Sequence, residues 1–455
     1  PARALSCRGR ENISLGREMA DGRAAGNAQG HILAAREYLN AGDREAATRA
    51  MIDAADLGHL GAQVQAGAWL VLGHGIARDA AAGAARIGEA ARAGAPIAMR
   101  LVASLHAAGL GLAQDWDAAL LWLARAASAH DAHALAQLAC LLDGTPDARA
   151  TRDALRRAAA LLGHAGAQYA LARDLQSDNA AHKASEADHW LTQARRANDP
   201  NALAASPPKT PGLAPAFMQV SIPTLNAEAL APQIVWPHTA ALPKKETHFA
   251  EPAVATAKNL LPRHLCEYVM SAAAPFQRPA TVSDAERGET VDTTRTNSAM
   301  RFFLLETDVV IESIDRVIAA AAGETHAHGE ALSVLRYRPG ETYRAHHDYA
   351  NPDWPRHREQ LATRGQRVTT ALVYLSDGFT GGETFFNALG WKFRGAPGDA
   401  IFFRSLTPEG ALEPKSLHTG LPPAKGEKWI ASKWYRDRPQ ASVPIDWVTA
   451  RWDQR

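Results

Sequence analysis

In the first half of the chain, small and large apolar residues recur with a long period. A glycine, histidine or aspartate followed closely by alanine appears as Gly58-His-Leu-Gly-Ala62, Gly94-Ala-Pro-Ile-Ala98, His130-Asp-Ala-His-Ala134, His164-Ala-Gly-Ala167 and Asp199-Pro-Asn-Ala202. The closing alanines at 62, 98, 134, 167 and 202 lie 36, 36, 33 and 35 residues apart, and Ala28 precedes the first by 34. A period near 35 is one helix–turn–helix unit of an α-solenoid. Trp122-Leu-Ala-Arg-Ala126 and Trp190-Leu-Thr-Gln-Ala194 lie 68 apart, two periods of 34, and mark the second helix of a unit. Alanines let paired helices approach, larger apolar residues fill the seam, and a glycine after the helix adopts the left-handed cap. The pattern predicts helical hairpins over residues 26–203, with Trp122 and Trp190 as core residues.

The pattern then breaks. Ser206-Pro-Pro-Lys-Thr-Pro-Gly-Leu-Ala-Pro215 cannot continue a helix, and further prolines extend the irregular stretch to about residue 245. Beyond it, Leu260 to Met270 reads as a short helix with proline near its start. Strand-like runs follow at 332–337, 368–375, 400–403 and 429–435, separated by turns such as Arg338-Pro-Gly340 and Pro397-Gly-Asp399. Many short strands with tight turns suggest a sandwich, jelly roll or barrel. The predicted organisation is an N-terminal segment 1–25, repeats 26–203, a linker 204–249, a catalytic domain 250–440 and a tail 441–455.

Composition adds limits. A chain of 455 residues is too long for one ordinary domain. Lys+Arg 49 against Asp+Glu 48 gives a net charge of +1, so no global field attracts nucleic acid or a membrane surface. Cys7, Cys140 and Cys266 lie far apart, which argues against a disulfide framework or a zinc cluster and for a reducing cytoplasm. No apolar run reaches the roughly 18 residues of a membrane span. The chain does not begin with methionine, so an upstream segment is expected.

The chemistry is carried by Tyr343-Arg-Ala-His-His-Asp348. On a strand, residues i and i+2 share a face, so His346 and Asp348 point one way and His347 the other. With His418, 70 residues past Asp348, they supply the two imidazoles and one carboxylate that suit non-haem Fe(II). Lys428 stands ten residues after His418, placed to meet a dicarboxylate at the metal. Fe(II), Asp348, 2-oxoglutarate and Lys428 sum to zero charge, which a poorly solvated pocket tolerates.

Taken in order, Arg295-Thr-Asn-Ser298, Tyr337-Arg-Pro-Gly-Glu-Thr-Tyr343, His346-x-Asp348, Arg367-Val-Thr-Thr-Ala-Leu-Val-Tyr-Leu375, Gly381-Gly-Glu-Thr-Phe385 and the run from His418 to Trp429 resemble the prolyl 4-hydroxylase branch of the 2-oxoglutarate/Fe(II) dioxygenases. Residues 26–203 resemble the Sel-one-like branch of the tetratricopeptide-type repeats, best in Asp117 to Ala127. The first resemblance implies a double-stranded β-helix, or jelly roll, with flanking helices, so the whole is a multidomain α + β chain headed by an α-solenoid. It implies Fe(II) on His346, Asp348 and His418. It implies 2-oxoglutarate held by Lys428, Tyr337 and Thr370, with Tyr343 and Trp434 on the substrate side. L-ascorbate would rescue uncoupled turnovers. O₂ and 2-oxoglutarate would be consumed to hydroxylate a C–H bond, most simply that of a prolyl residue, with succinate and CO₂ released. The partner is then a polypeptide held by the repeats. Three alternatives stay open: a substrate other than proline, a repeat adaptor with a sensor-type oxygenase domain, and a nucleic-acid dealkylase, against which the lysine at position 428 and the neutral net charge both speak.

Overall fold

The computed structural model describes residues 27–177, 181–208, 222, 225–284, 288–290 and 292–440. The predicted segment 1–25 with Cys7, residues 209–221, 223 and 224 of the predicted linker and the tail 441–455 lie outside the described residues. The chain divides into two compact units between Ala129 and His130.

The first unit is three helical hairpins: Ala28–Asn40 with Arg44–Asp56, Leu60–Leu72 with Ala80–Arg92, and Pro96–Ala108 with Trp116–Ser128. The second helix of each hairpin opens on an aspartate, Asp43, Asp79 or Asp115, whose side chain accepts from the backbone N–H three residues on. Gly73 and Gly109 close the first helices of two hairpins at φ 74° and 69°. Where Leu60–Leu72 crosses Ala80–Arg92, a Cβ on Gly67 would stand 2.7 Å from the Gly83 carbonyl oxygen, so the two backbones touch there. Trp69 and Met51 fill the seam among alanines. Trp122 does not join the core. It is half-buried, under the Arg125 guanidinium at 4.7 Å, because its position faces outward from the hairpin.

The second unit begins with two more hairpins, Ala132–Leu141 with Arg149–Leu161 and Ala165–Ser177 with Ala181–Arg196. Trp190 is buried here as expected, its Nε1 donating to Glu186. These helices pack on the helix Arg263–Ala273. Arg173 pairs with Glu267, Asn201 Nδ2 donates to the Glu267 carbonyl at 3.0 Å, and Ser271 donates to Asp199 at 2.5 Å. The last two hairpins therefore belong to the same compact unit as the sheets that follow.

The main sheet has eight antiparallel strands. In spatial order they are β1 (Lys245–Ala250), β2 (Ala253–Ala257), β13 (Ala400–Arg404), β9 (Arg367–Tyr374), β16 (Lys428–Arg436), β7 (Ser333–Tyr337), β6 (Ser298–Arg301) and β3 (Arg278–Pro279). A smaller sheet runs β12 (Trp391–Phe393), β11 (Thr384–Phe386), β14 (His418–Gly420), β8 (Tyr343–His346). Two short pairs complete the set, β4 (Val282–Asp284) with β5 (Gly288–Thr290) and β10 (Thr380–Gly381) with β15 (Pro423–Lys425). Leu335, Leu372, Ile401, Phe403 and Ile430 of the main sheet meet Phe386 and Phe393 of the smaller one in a shared core. Helices Arg263–Ala273 and Val309–Ala322 contact the main sheet. With both faces covered, β16 is buried along its whole length, its polar residues Lys428, Ser432, Lys433 and Arg436 included. This is the expected jelly roll with flanking helices, and the four strand-like runs read from the sequence are β7, β9, β13 and β16.

Candidate metal centre

Adjacent strands of the smaller sheet place the two histidines. His346 ends β8, His418 begins β14, and the two are direct cross-strand partners. Their rings lie 4.2 Å apart between centroids. Asp348 stands two residues past His346, beyond the strand, and its carboxylate reaches back between the rings. His346 Nε2 is 3.7 Å from Asp348 Oδ1, and His418 Nε2 is 3.8 Å from Asp348 Oδ2. These separations are too long for hydrogen bonds and short enough for one ion, with bonds of about 2.1 Å, to reach all three groups. The three donor atoms lie within 4.8 Å of one another.

The surroundings fix the donors for that use. His346 Nδ1 lies 2.8 Å from the Arg344 carbonyl oxygen and His418 Nδ1 lies 3.0 Å from that of Ser416. Each Nδ1–H is thereby committed to a carbonyl, which leaves the Nε2 lone pair facing the centre. Thr370 donates to Asp348 Oδ2 at 2.6 Å. Burial holds His346 well below the usual histidine range, and the neighbouring His418 adds to this, so the His346 ring favours the neutral, ligating form. Burial pushes the Asp348 carboxyl up, but His418, His346, Arg367 and the Thr370 hydroxyl together outweigh it and keep the group below its ordinary value. Two neutral imidazoles and a carboxylate are the donor set that non-haem Fe(II) takes, with positions left for other ligands. The residues fit the metal. A second group of possible ligands among the described residues, Glu312, Asp315 and His326, is already met by a cation, since Lys433 Nζ lies 2.6 Å from Asp315.

A partly open cavity lies beside the three ligands. Lys428, Ile430, Ser432 and Trp434, alternate residues of β16, form one wall, and Tyr337, Tyr343, Thr384 and Gly420 contribute others. Lys428 is fully buried. Its ammonium lies 5.0 Å from the Tyr337 ring centre and 5.4 Å from that of Tyr374, and among the described residues no carboxylate forms an ion pair with it. Burial pulls its pKa down to about 7, Glu383 opposing from a distance. An unpaired buried ammonium is costly and is the complement of an anionic ligand. Tyr337 pairs directly with Lys428 across the sheet, and its hydroxyl approaches Gly420, where a Cβ would stand 3.3 Å from it.

Of the residues expected around the metal, Tyr343, Trp434, Tyr337 and Lys428 line this cavity with the three ligands. Thr370 does not stand where the dicarboxylate was expected. It pairs with Trp434, six residues along β16 from Lys428 and so about 20 Å away at strand spacing, and its hydroxyl is spent on Asp348. Thr384 lines the cavity in its place. Its Oγ1 lies 3.0 Å from the Tyr374 hydroxyl, which donates to the Phe393 carbonyl, so Thr384 is the donor of that contact. The run Gly381-Gly-Glu-Thr carried the signal, because a glycine pair turning into a strand fixes the next side chains. Arg367, Gln366 and Glu330 were also missed. Gln366 holds both backbone groups of Ala350, at 2.7 and 2.8 Å, and Arg367 reaches the Asp348 carbonyl at 3.4 Å while forking onto buried Glu330. They set the turn that returns Asp348 to the metal position, through contacts no local pattern announces.

Residues 332–436 match the family model described as the 2OG-Fe(II) oxygenase superfamily. The chain is 34% identical over 203 residues to probable prolyl 4-hydroxylase 3 of Arabidopsis thaliana, covering 40% of this chain and 69% of that protein. It is 33% identical over 210 residues to prolyl 4-hydroxylase 1 of the same plant, covering 43% and 72%. Among solved structures, a viral collagen prolyl hydroxylase from Paramecium Bursaria Chlorella virus-1 aligns with 40% of this chain and 94% of its own at 26% identity and a TM-score of 0.31. A Sel1 repeat protein from Oxalobacter formigenes aligns with 39% and 76%, at 24% identity and a TM-score of 0.35. The chain belongs to the prolyl 4-hydroxylase family of the 2-oxoglutarate/Fe(II)-dependent oxygenases. It is an oxidoreductase that uses O₂, Fe(II) and 2-oxoglutarate to hydroxylate a C–H bond.

Proposed function

We propose that this enzyme hydroxylates prolyl residues of a polypeptide, with its helical repeats recruiting the target. The observation that carries the reading is the cavity itself, which has three metal donors on one wall and a buried, unpaired ammonium on another. His346, Asp348 and His418 would hold Fe(II), which when bound supplies the redox chemistry that links decarboxylation of 2-oxoglutarate to attack on an unactivated C–H bond.

This chain's residues do the rest. Lys428 binds the remote carboxylate of 2-oxoglutarate as a charge-assisted donor, and the Tyr337 hydroxyl adds an oriented hydrogen bond at that end. The ammonium enters half-deprotonated near pH 7 and is fully charged once the diacid arrives. Leu335, Leu372 and Ile430 keep water from the co-substrate. Trp434, with Arg367 over one face of its ring, offers the other face to a proline ring, and Tyr343, covered by His346 and Arg295, offers its ring edge. The plant relatives named above are called prolyl 4-hydroxylases, which supports proline as the target residue. Helical-hairpin repeats present extended surfaces suited to polypeptides, which supports a macromolecular substrate. Ascorbate as reductant, and a reducing cytoplasm suited to the buried free thiols Cys140 and Cys266, complete the reading.

The test is turnover on proline-containing polypeptides with Fe(II), 2-oxoglutarate and ascorbate, read as succinate and as oxygen added to proline. Succinate coupled to hydroxyproline supports the reading. Coupled hydroxylation of another residue type, with proline untouched, contradicts it.

A further inference from the structure

The cavity holds an oxidisable group of its own. The Tyr343 ring lies on the His346 imidazole, with centroids 3.4 Å apart and planes inclined by 17°. It also lines the open cavity beside the three ligands. The ring is not free to swing away. The Tyr343 backbone pairs with Gly420 on one side and bridges to Arg295 on the other, and the Arg295 guanidinium lies 4.5 Å from the ring centre. Arg295 is itself buried, and is fixed by the Asn297 side chain at 3.2 Å and the Thr281 carbonyl at 3.2 Å.

Other groups near the metal are less well placed. Tyr337 sits under Lys428, where the bound diacid covers it. Trp434 lines the cavity too, but one face of its ring is covered by the Arg367 guanidinium, and among the described residues no ring contact joins it to a metal ligand. Phe403 and Phe386 contact His418 at 4.7 and 5.9 Å between centroids but do not line the cavity. Leu335, Leu372 and Ile430 line it with aliphatic C–H bonds, which are harder to oxidise than the ring positions beside a phenol hydroxyl.

We propose that Tyr343 is a self-hydroxylation site, converted to a catechol when the enzyme turns over with no polypeptide in the cavity. The inference rests on the dioxygenase reading above. The balance is that of the established reaction with the ring as acceptor. One atom of O₂ enters a ring C–H bond next to the phenol carbon, which becomes C–OH. The other oxidises 2-oxoglutarate, whose C1–C2 bond breaks to give succinate and CO₂. Ring and keto acid each surrender two electrons, and together they reduce one O₂. A polypeptide in the cavity offers a nearer C–H bond and protects the ring. The modification therefore records uncoupled turnover at the residue that stacks on a metal ligand.

The experiment uses the full chain with Fe(II), 2-oxoglutarate, catalase and heavy-isotope O₂, with and without poly-L-proline, and reads two quantities. Succinate reports turnover, and peptide mapping by mass spectrometry reports the label. The expected result without poly-L-proline is one heavy oxygen atom on Tyr343, lost when 2-oxoglutarate is omitted and reduced at least about tenfold by saturating poly-L-proline, the preference expected of a better-placed acceptor. Succinate without label on Tyr343, label on Trp434 or Tyr337 instead, or label that persists without 2-oxoglutarate overturns the inference and leaves the dioxygenase reading standing. No succinate in any tube overturns both.

Discussion

Lys428 and Tyr337 face each other as direct partners on β16 and β7, and the ammonium lies 5.0 Å from the centre of the tyrosine ring. Lys428 is fully buried, and its pKa falls from 10.5 to about 7 because burial disfavours the charge. That shift corresponds to a destabilisation of order 5 kcal/mol when the group is charged. The Lys428→Met variant is expected to unfold at higher denaturant, more stable by about 1–4 kcal/mol, while its KM for 2-oxoglutarate rises at least about a hundredfold. Denaturant melts and initial rates check the two halves separately.

The same shift sets a pH dependence. Below pH 7 the folded and unfolded chains both carry the Lys428 proton. Between about 7 and 10.5 the unfolded chain binds more protons, so the lysine's contribution to stability rises with pH through that window. Co-substrate binding runs the other way. The diacid needs the ammonium, so KM for 2-oxoglutarate is flat below pH 7 and rises above it, by up to about tenfold per pH unit. Rates measured from pH 6 to 9 at saturating metal check this, and a flat KM across the range contradicts it.

Two threonines separate two functions. Thr370 donates to Asp348, and Thr384 lines the cavity near Lys428. Thr370→Val is expected to raise the Fe(II) concentration needed for half activation by about 10–100-fold with little change in KM for 2-oxoglutarate. Thr384→Val removes the hydroxyl that holds Tyr374 beside Lys428 and is expected to raise that KM with little change in metal requirement. The paired titrations check both, and interchange of the two effects contradicts the assignment.

Glu267 ties the last helical hairpins to the helix that backs the main sheet. Its carboxylate meets Arg173, and its carbonyl accepts from Asn201. Glu267→Ala leaves Arg173 only its Asp174 and Asp143 partners and is expected to cost about 1–3 kcal/mol. Because residues 130–440 form one compact unit, the helices around 130–204 and the catalytic sheet should lose their protection together. Hydrogen exchange of the variant checks this.

The legible parts of this chain were those governed by local rules. The alanine period near 35 announced the hairpins, and β-type runs announced β7, β9, β13 and β16, because each pattern encodes which side of one element is buried. The pairing of His346 with Asp348 was legible from their spacing, although β8 ends at His346 and it is the turn beyond it, not a shared strand face, that brings the carboxylate to the metal position. Thr370 was misplaced because its neighbour across the sheet depends on register with β16, which a single strand does not reveal. Gln366 and Arg367, adjacent in the chain, and Glu330 act on Asp348 from two separate segments, and nothing in their spacing shows that they meet. The half-buried position of Trp122 depended on which side of its hairpin stays uncovered, again a matter of neighbours.

The most direct test of the central claim is calorimetric titration of 2-oxoglutarate into the protein without oxygen, with Mn(II) in place of Fe(II). His346, Asp348 and His418 holding the ion beside Lys428 predict one 2-oxoglutarate per chain, bound tightly only with metal present, and lost in both Asp348→Ala and Lys428→Ala. Equal binding with and without metal, or undiminished binding in either variant, would contradict it.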